Sequence, residues 1–375
     1  MLVYYLLFHL FSITQPAPAN FEEQVIDDNI SIGYGIALGD VDGDKKTDIL
    51  LADKKQIVWY RNGDWKKFVI AENLTESDNV CIAARDLNND GKVEVAVGAQ
   101  WNPGETSDDK LSGAVFYLNR PGDINQPWEP IRLHHEPTVH RMRWVKDSKG
   151  KYFLVMLPLH GRGNKNGEGA GVNVIAYEFP KDVHSKWNTV AIADEMHMTH
   201  NMAVKEQPGK KTEIYVAGKE GVKVITEPFT EKKPMTVTKI DGNDHASGEI
   251  KLAKNFIATI QPMHGNKVSV YPERGERIIL DSSFADGHAI GVADFLGVGY
   301  EQVVAGWRNP NSENFVGIKL YTRKNANSNE WTSQWVDKNG MACEDLQVMD
   351  MNADGKPDII AAGRSTKNLK IYWNR

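Results

Sequence analysis

Four histidines, His140, His200, His245 and His288, recur at one place in a repeating pattern, six residues ahead of a charged loop. Imidazoles gathered in this way suit two kinds of chemistry. Three of them can hold zinc and leave a fourth position open for water or substrate. An imidazole with its pKa near neutrality can also take a proton from carbon or oxygen. The same place in the other repeats reads Tyr34, Val80 and Glu344. A second set closes the following apolar segment in several repeats: Trp101, His160 with Arg162, His264, Trp307 with Arg308, and Arg364. With His197 added, seven of the eleven histidines collect at one mouth. The tryptophans offer flat faces for a sugar ring, and the arginines suit a carboxylate or a developing oxyanion. A histidine kept for structure should be commonest where the repeat is best preserved. Here histidine is absent from the three best copies and present in the four most degenerate ones, which favours a functional ring.

The elements that position these residues come from internal repetition. GYGIALGDVDGDKKTDILLAD from Gly33, NVCIAARDLNNDGKVEVAVGA from Asn79 and EDLQVMDMNADGKPDIIAAG from Glu344 are near copies. Each is an alternating strand, an acidic loop and an apolar strand, the pattern of a β-hairpin. HAIGVADFLGVGYEQVVAGW from His288 keeps the shape, and weaker copies begin at His140, His200 and His245. A third strand follows every hairpin and a fourth follows six of them. Seven four-stranded blades of an all-β propeller are therefore predicted. The seventh copy lacks its fourth strand at Arg375, and FEEQVIDD from Phe21 has the missing pattern. The N-terminal strand is expected to complete the last blade, so that residues 20–375 form one domain. First strands line the channel of a propeller, which puts the histidines in one funnel.

The loops carry a second set of metal-like residues. Asp40, Asp42, Asp44 and Asp48 alternate as oxygen ligands do in a calcium loop. Asp86, Asn88, Asp90 and Glu94 repeat the spacing, as do Asp350, Asn352, Asp354 and Asp358. The pattern resembles FG-GAP/VCBS-type propeller repeats, where such loops often hold calcium. Calcium or magnesium here would be structural, and turn-capping by the carboxylates alone is the competing reading. The loops lie on the face opposite the histidines.

Composition narrows the partners. A net charge of −6 without a long basic run argues against nucleic acid or an acidic membrane surface. Residues 1–19 read as a signal peptide ending in Ala17-Pro18-Ala19, which predicts a secreted or periplasmic protein. No later stretch is apolar and long enough to span a bilayer as a helix. Two cysteines, Cys81 and Cys343, exclude a disulfide framework.

TVHRMRW, THNMAVKE, QPMHGNKVSVY and DGHAIGVAD, spread over roughly residues 135–310, resemble the propeller domain of the aldos-2-ulose dehydratase family. The resemblance implies a lyase that removes water from a small ketosugar such as 1,5-anhydro-D-fructose. A histidine would take the proton alpha to the carbonyl, with zinc in the pocket. On these positions His140 is the base. His200, His245 and His288 are metal ligands or acid/base partners, and His264 contacts substrate oxygens or assists the leaving group. Fungal enzymes of this type continue into cupin domains; the present chain is expected to carry out dehydration alone. Two other readings remain open: a propeller lyase acting on a uronic-acid-containing glycan, and a non-catalytic carbohydrate-binding module.

Overall fold

The computed structural model describes residues 16–375, so most of the predicted signal segment lies outside the described residues. Seven four-stranded antiparallel sheets are present. Their innermost strands are Gly35–Gly39, Cys81–Arg85, Val139–Lys146, Thr199–Lys205, Glu249–Leu252, Gly287–Ala293 and Cys343–Met349, heading blades 1 to 7 in that order. Within each of the first six blades consecutive strands pair in sequence order. Blade 7 is completed from the other end of the chain, by Phe21–Asp27 against Asn368–Asn374. The expected seven-bladed ring and its closure are both found.

The fold follows from where the apolar side chains go. Strand residues alternate between the two faces of a blade, so each blade offers an apolar surface to both neighbours. Leu50 and Trp59 of blade 1 pack with Ile82 and Val95 of blade 2, all buried. Val155 and Leu157 of blade 3 pack in the same way with Ile214 and Val216 of blade 4. Fully burying one such side chain stabilises by about 1.5–3 kcal/mol. The core is thus a ring of inter-blade layers around a polar axis.

Closure is pinned by polar contacts as well as by the ladder. The Tyr60 hydroxyl of blade 1 donates to Asp27 Oδ2 at 2.6 Å, and Trp373 Nε1 donates to Gln24 Oε1 at 2.9 Å. Asp53 accepts the amides of Ser31, Ile32 and Gly33, tying the segment after the closing strand to blade 1. A chain that starts after Asp27 would bare the edge of Asn368–Asn374, and exposed edges recruit other strands. Such a variant is expected to melt without a single cooperative transition or to self-associate, as read by calorimetry and light scattering. Melting like that of the full chain would show that the strand is dispensable.

Candidate functional site

The inner strands of blades 3, 4, 6 and 7 each carry a register shift at their first turn inward, between Val139 and Arg141, Thr199 and Asn201, Gly287 and Ala289, and Cys343 and Asp345. The residues inserted there are His140, His200, His288 and Glu344. A bulge leaves one residue unpaired and re-aims its side chain, and here it turns four polar side chains toward the axis. The imidazoles are then fixed by the neighbouring blade. His140 Nδ1 donates to the His200 carbonyl at 2.9 Å, His200 Nδ1 to the Gly248 carbonyl at 3.0 Å, and His288 Nδ1 to the Glu344 carbonyl at 2.5 Å. With the proton held on Nδ1, every Nε2 presents a lone pair.

Blade 5 departs from the expected alignment. The carbonyl series puts Gly248, not His245, at the ring position. The hairpin of blade 5 turns tightly between Leu252 and Phe256, so the charged residue that aligns with Lys146 is Lys254 rather than Lys251, three residues later. His245 sits instead in a short 3-10 turn, Asn243–His245, with Nδ1 2.7 Å from the Tyr271 hydroxyl. It is not grouped with His200 and His288. The vacancy left by Gly248 is filled from the connection that follows the second strand, Phe256–Gln261, of the same blade. A Cβ on Gly248 would lie 2.2 Å from the Met263 carbonyl oxygen, so glycine is what lets the segment carrying His264 approach.

His200, His264 and His288 each aim one ring nitrogen into a group whose atoms all lie within 4.8 Å of one another. Zinc–imidazole bonds of about 2.1 Å can span that group with small ring movements. The Nε2 atoms of His264 and His200 touch directly, and a shared proton or a cation would answer both lone pairs. His264 Nδ1 lies 3.3 Å from Arg308 Nη2 and 3.6 Å from Asp286 Oδ1, so either tautomer finds a partner. Glu249 Oε1 stands 3.1 Å from His200 Nδ1, a carboxylate behind the ligand. Burial holds His140, His200 and His288 well below the usual imidazole pKa, reinforced by the positive charge of Arg141 at the first two and of Arg308 at the third. Burial, with His200 next, lowers His264 to about 3. Neutral imidazoles on anchored rings fit a metal of zinc type.

His140 stands beside this group rather than in it. Its ring lies under Trp101, with centroids 5.0 Å apart, and edge-on to His200 at 4.6 Å. Trp101 is partly buried. Next to it the Tyr34 hydroxyl donates to Asp78 Oδ2 at 3.0 Å. Burial and the Asp78 carboxylate push the phenol up to about 12, so it stays protonated. Asp78 and Asp286 were not picked out from the sequence; Asp286 stands two residues before His288 in DGHAIG, where a search of the segment leading into each ring position would have found it.

The arginines are already paired. Arg308 makes two contacts with Asp286, at 2.9 and 2.7 Å, and a third with Glu344 at 3.3 Å. Arg364 donates to the other Glu344 oxygen at 3.0 Å. Glu344 is therefore an anchor for two arginines, buried beneath them. Arg162 reaches outward to Glu136 and Asp109 at 3.1 and 2.8 Å, and no pocket histidine is among its partners. Trp307, expected as a sugar platform, is fully buried. Its Nε1 donates to the Phe315 carbonyl and its ring packs on Phe284 and Trp335, which makes it core. His160 is half-buried, with its Nδ1 unpartnered among the described residues. His197 is held by Glu220 at 2.9 Å.

In the acidic loops the fourth carboxylate is an internal brace. Asp48 accepts the amides of Val41 and Asn62, Glu94 that of Leu87, and Asp358 those of Met351 and Asn374. Blade 6 performs the same task with neutral Gln302, which accepts from Leu296. Asp40, Asp42 and Asp48 gather within 4.8 Å; Asp44 is outside that group. Blade 2 differs, because Arg120 reaches Asp90 at 2.7 Å and approaches Glu94 at 3.9 Å. Asn352 in blade 7 donates to Asp354. Among the described residues these last two loops hold no comparable carboxylate group.

Residues 112–274 match the family model of the aldos-2-ulose dehydratase β-propeller domain. The propeller carries a family-level match to this dehydratase. It begins earlier than the resemblance read from the sequence and stops before blade 6. Residues 40–97, with the first two acidic loops, match an FG-GAP-like repeat. Aldos-2-ulose dehydratase of Phanerodontia chrysosporium is 22% identical over an aligned length of 271 residues, and the match covers 64% of this chain. The chain spans 28% of that relative's length. Among solved structures, a chain of the mitotic checkpoint complex is similar with a TM-score of 0.58 and 11% identity, covering 100% of this chain and 99% of that one. The exotype rhamnogalacturonan lyase YesX is similar with a TM-score of 0.53 and 11% identity, covering 96% of this chain and 76% of that one. These likenesses concern the fold alone.

The lowered histidine pKa values set the direction of the pH dependence. Below an unfolded-state pKa of about 6.5 the unfolded chain binds protons that the buried imidazoles refuse. Stability is thus fully present above that pH and is lost as pH falls toward the depressed values, about 3 for His264. Metal-free protein is expected to show a melting temperature that drops steadily below pH 6.5. Replacing His200 and His288 by Gln should flatten the drop; an unchanged slope would show that other groups cause it.

Proposed function

We propose that the protein is a carbon–oxygen lyase that removes water from a small neutral ketosugar, 1,5-anhydro-D-fructose or a close relative. The observation that carries this reading is the unprotonated Nε2 of His140, held beside three converging imidazoles and under the face of Trp101. A sugar ring laid on Trp101 would bring a carbon-bound proton to His140 Nε2. His140 takes that proton, the electron pair of the C–H bond becomes a C=C bond, and the neighbouring C–O bond breaks. The departing hydroxyl takes up a proton, in balance the one that His140 removed from carbon, and leaves as water, so sugar goes to enone plus water and His140 returns to its neutral form. Zinc, when bound by His200, His264 and His288, would polarise the carbonyl that makes the adjacent C–H acidic. Beside Trp101, the Tyr34 oxygen, whose proton goes to Asp78, and the Asp78 carboxylate offer acceptors to sugar hydroxyls.

The paired arginines favour a neutral substrate over a uronate. A polymer lyase needs a cation for the uronate carboxylate, whereas Arg308, Arg364 and Arg162 each already face an acid. The family match over residues 112–274 supports the dehydratase class. A signal segment at residues 1–19 supports a secreted or periplasmic location. A structural calcium or magnesium ion is assigned to the blade 1 loop, on Asp40, Asp42 and Asp48.

With 1,5-anhydro-D-fructose the protein is expected to generate enone absorbance, and uronate polymers to give none. His140→Ala should lower kcat/KM by about 10²–10⁴-fold while zinc still binds. His264→Ala should lose zinc by at least about 100-fold, and His245→Ala should change little. Activity on neither substrate would move the reading to a binding module. For the loop ion, calcium should raise the melting temperature of the wild type but not of Asp42→Asn.

A further inference from the structure

Below the histidines the axis holds five charged side chains that the proposed chemistry does not use. They are Arg141 and Arg143 of blade 3, Glu249 and Lys251 of blade 5, and Asp345 of blade 7. Buried charges are normally paired with each other. Here, among the described residues, no two of the five form an ion pair with each other. The acids are answered by neutral donors. Asp345 accepts the amides of Ile36 and Leu346 at 2.7 and 2.9 Å, and Glu249 accepts Asn201 Nδ2 at 2.6 Å.

The cations are left with spare donors. Arg141 donates to the carbonyl of His140, and Arg143 to the carbonyl of Met142 and, at 3.5 Å, to Asn201 Oδ1. Lys251 makes no hydrogen bond or ion pair among the described residues. Three positive charges therefore stand with two negative ones along the axis; Arg141 and Glu249 are buried, and Arg143, Lys251 and Asp345 are half-buried. Burial lowers the pKa of both Arg143 and Lys251, and the nearby Asp345 and Glu249 offset this only in part.

A route to this space exists from the face of the acidic loops. Arg143 and Lys251 line a depression together with Ala203, Met202, Arg85 and Glu206. Arg85 is spent there, because it grips Glu206 through two contacts of 2.7 and 2.8 Å. That pair joins blade 2 to blade 4 across the mouth, and so frames the opening instead of filling it. What remains unanswered is the pair Arg143 and Lys251, with Arg141 deeper.

We infer that the channel mouth opposite the histidines binds a small tetrahedral oxyanion, of the phosphate or sulfate kind, on Arg143 and Lys251. The guanidinium and the ammonium supply charge-assisted donors from two blades. Such a ligand would offset the surplus positive charge of the axis and clamp blades 3 and 5 at the point where the polar core is least paired. It is separate from the sugar pocket, with Arg141, Asn201 and Glu249 lying between the two.

The test compares sulfate and phosphate with chloride at constant ionic strength and pH, on full-length protein with the metal site loaded. Low-millimolar sulfate or phosphate should raise the melting temperature of the wild type by several degrees. Lys251→Met should abolish the increment and should melt no lower than the wild type in chloride, because an unbalanced cation is removed. Calorimetric titration with sulfate should give a one-to-one isotherm that is lost in Arg143→Gln. No selective stabilisation of the wild type would overturn the inference. So would equal stabilisation of Lys251→Met, which marks general exclusion of the salt from the protein surface. If a variant fails to fold, titration of the wild type decides: a one-to-one isotherm for sulfate supports the site, and its absence overturns it.

Discussion

The hydrogen bond from each ring histidine to the backbone of the next blade is the constraint on which the pocket rests. A carbonyl oxygen can only accept, so Nδ1 must carry the proton and Nε2 must be bare. The acceptor belongs to the neighbouring blade, which makes the tautomer of the side chain depend on how two sheets sit against each other. Orientation, protonation state and blade packing are therefore one property. Sheets held by apolar layers such as that between blades 3 and 4 do not slide, and the imidazoles inherit that stiffness.

Much of this was legible in the sequence, and the limits have physical causes. The ring, its seven blades and its closure by Phe21–Asp27 follow from alternating strands and from a missing fourth strand, both local patterns. His140, His200 and His288 stand at the ring position because each lies six residues ahead of the charged residue at its own turn, Lys146, Glu206 and Asp294, as in the acidic-loop copies. His245 was misplaced because a tighter turn in blade 5 shifts the alignment by three residues, and nothing in the apolar pattern records turn length. Trp307 ends an apolar strand in the same way as Trp101, yet one is sealed by Phe284 and Trp335 while the other roofs His140. Which neighbour arrives from another blade is a tertiary fact. Pairing of Arg308 and Arg364 with Glu344 is equally non-local, and it changes their meaning from free cations to a neutralised wall.

The two faces of the propeller deal with charge by different means. On the loop face, carboxylates are satisfied by backbone amides, and Gln302 shows that the brace works without a charge. Arg120 stands over the blade 2 loop as a permanent counter-ion from the protein itself. On the histidine face, acids and arginines cancel in a network around Glu344 while the imidazoles stay neutral through burial. The imidazole nitrogens therefore converge as neutral groups, with the fixed charges of Arg308, Glu249 and Arg141 around them.

Gly248 bears on how such a pocket can arise from repeats. Seven identical blades would place seven identical groups around a seven-fold axis, all at one height and one distance from it. A four-coordinate ion has no use for that symmetry. Here one repeat has given up its inward side chain, and the space admits the segment that carries His264, from the connection after the second strand. Duplication of a blade can supply the scaffold, but the donor set needs at least one copy to diverge by loss. The degenerate repeats are thus where a ring of equivalent positions became a site with a direction.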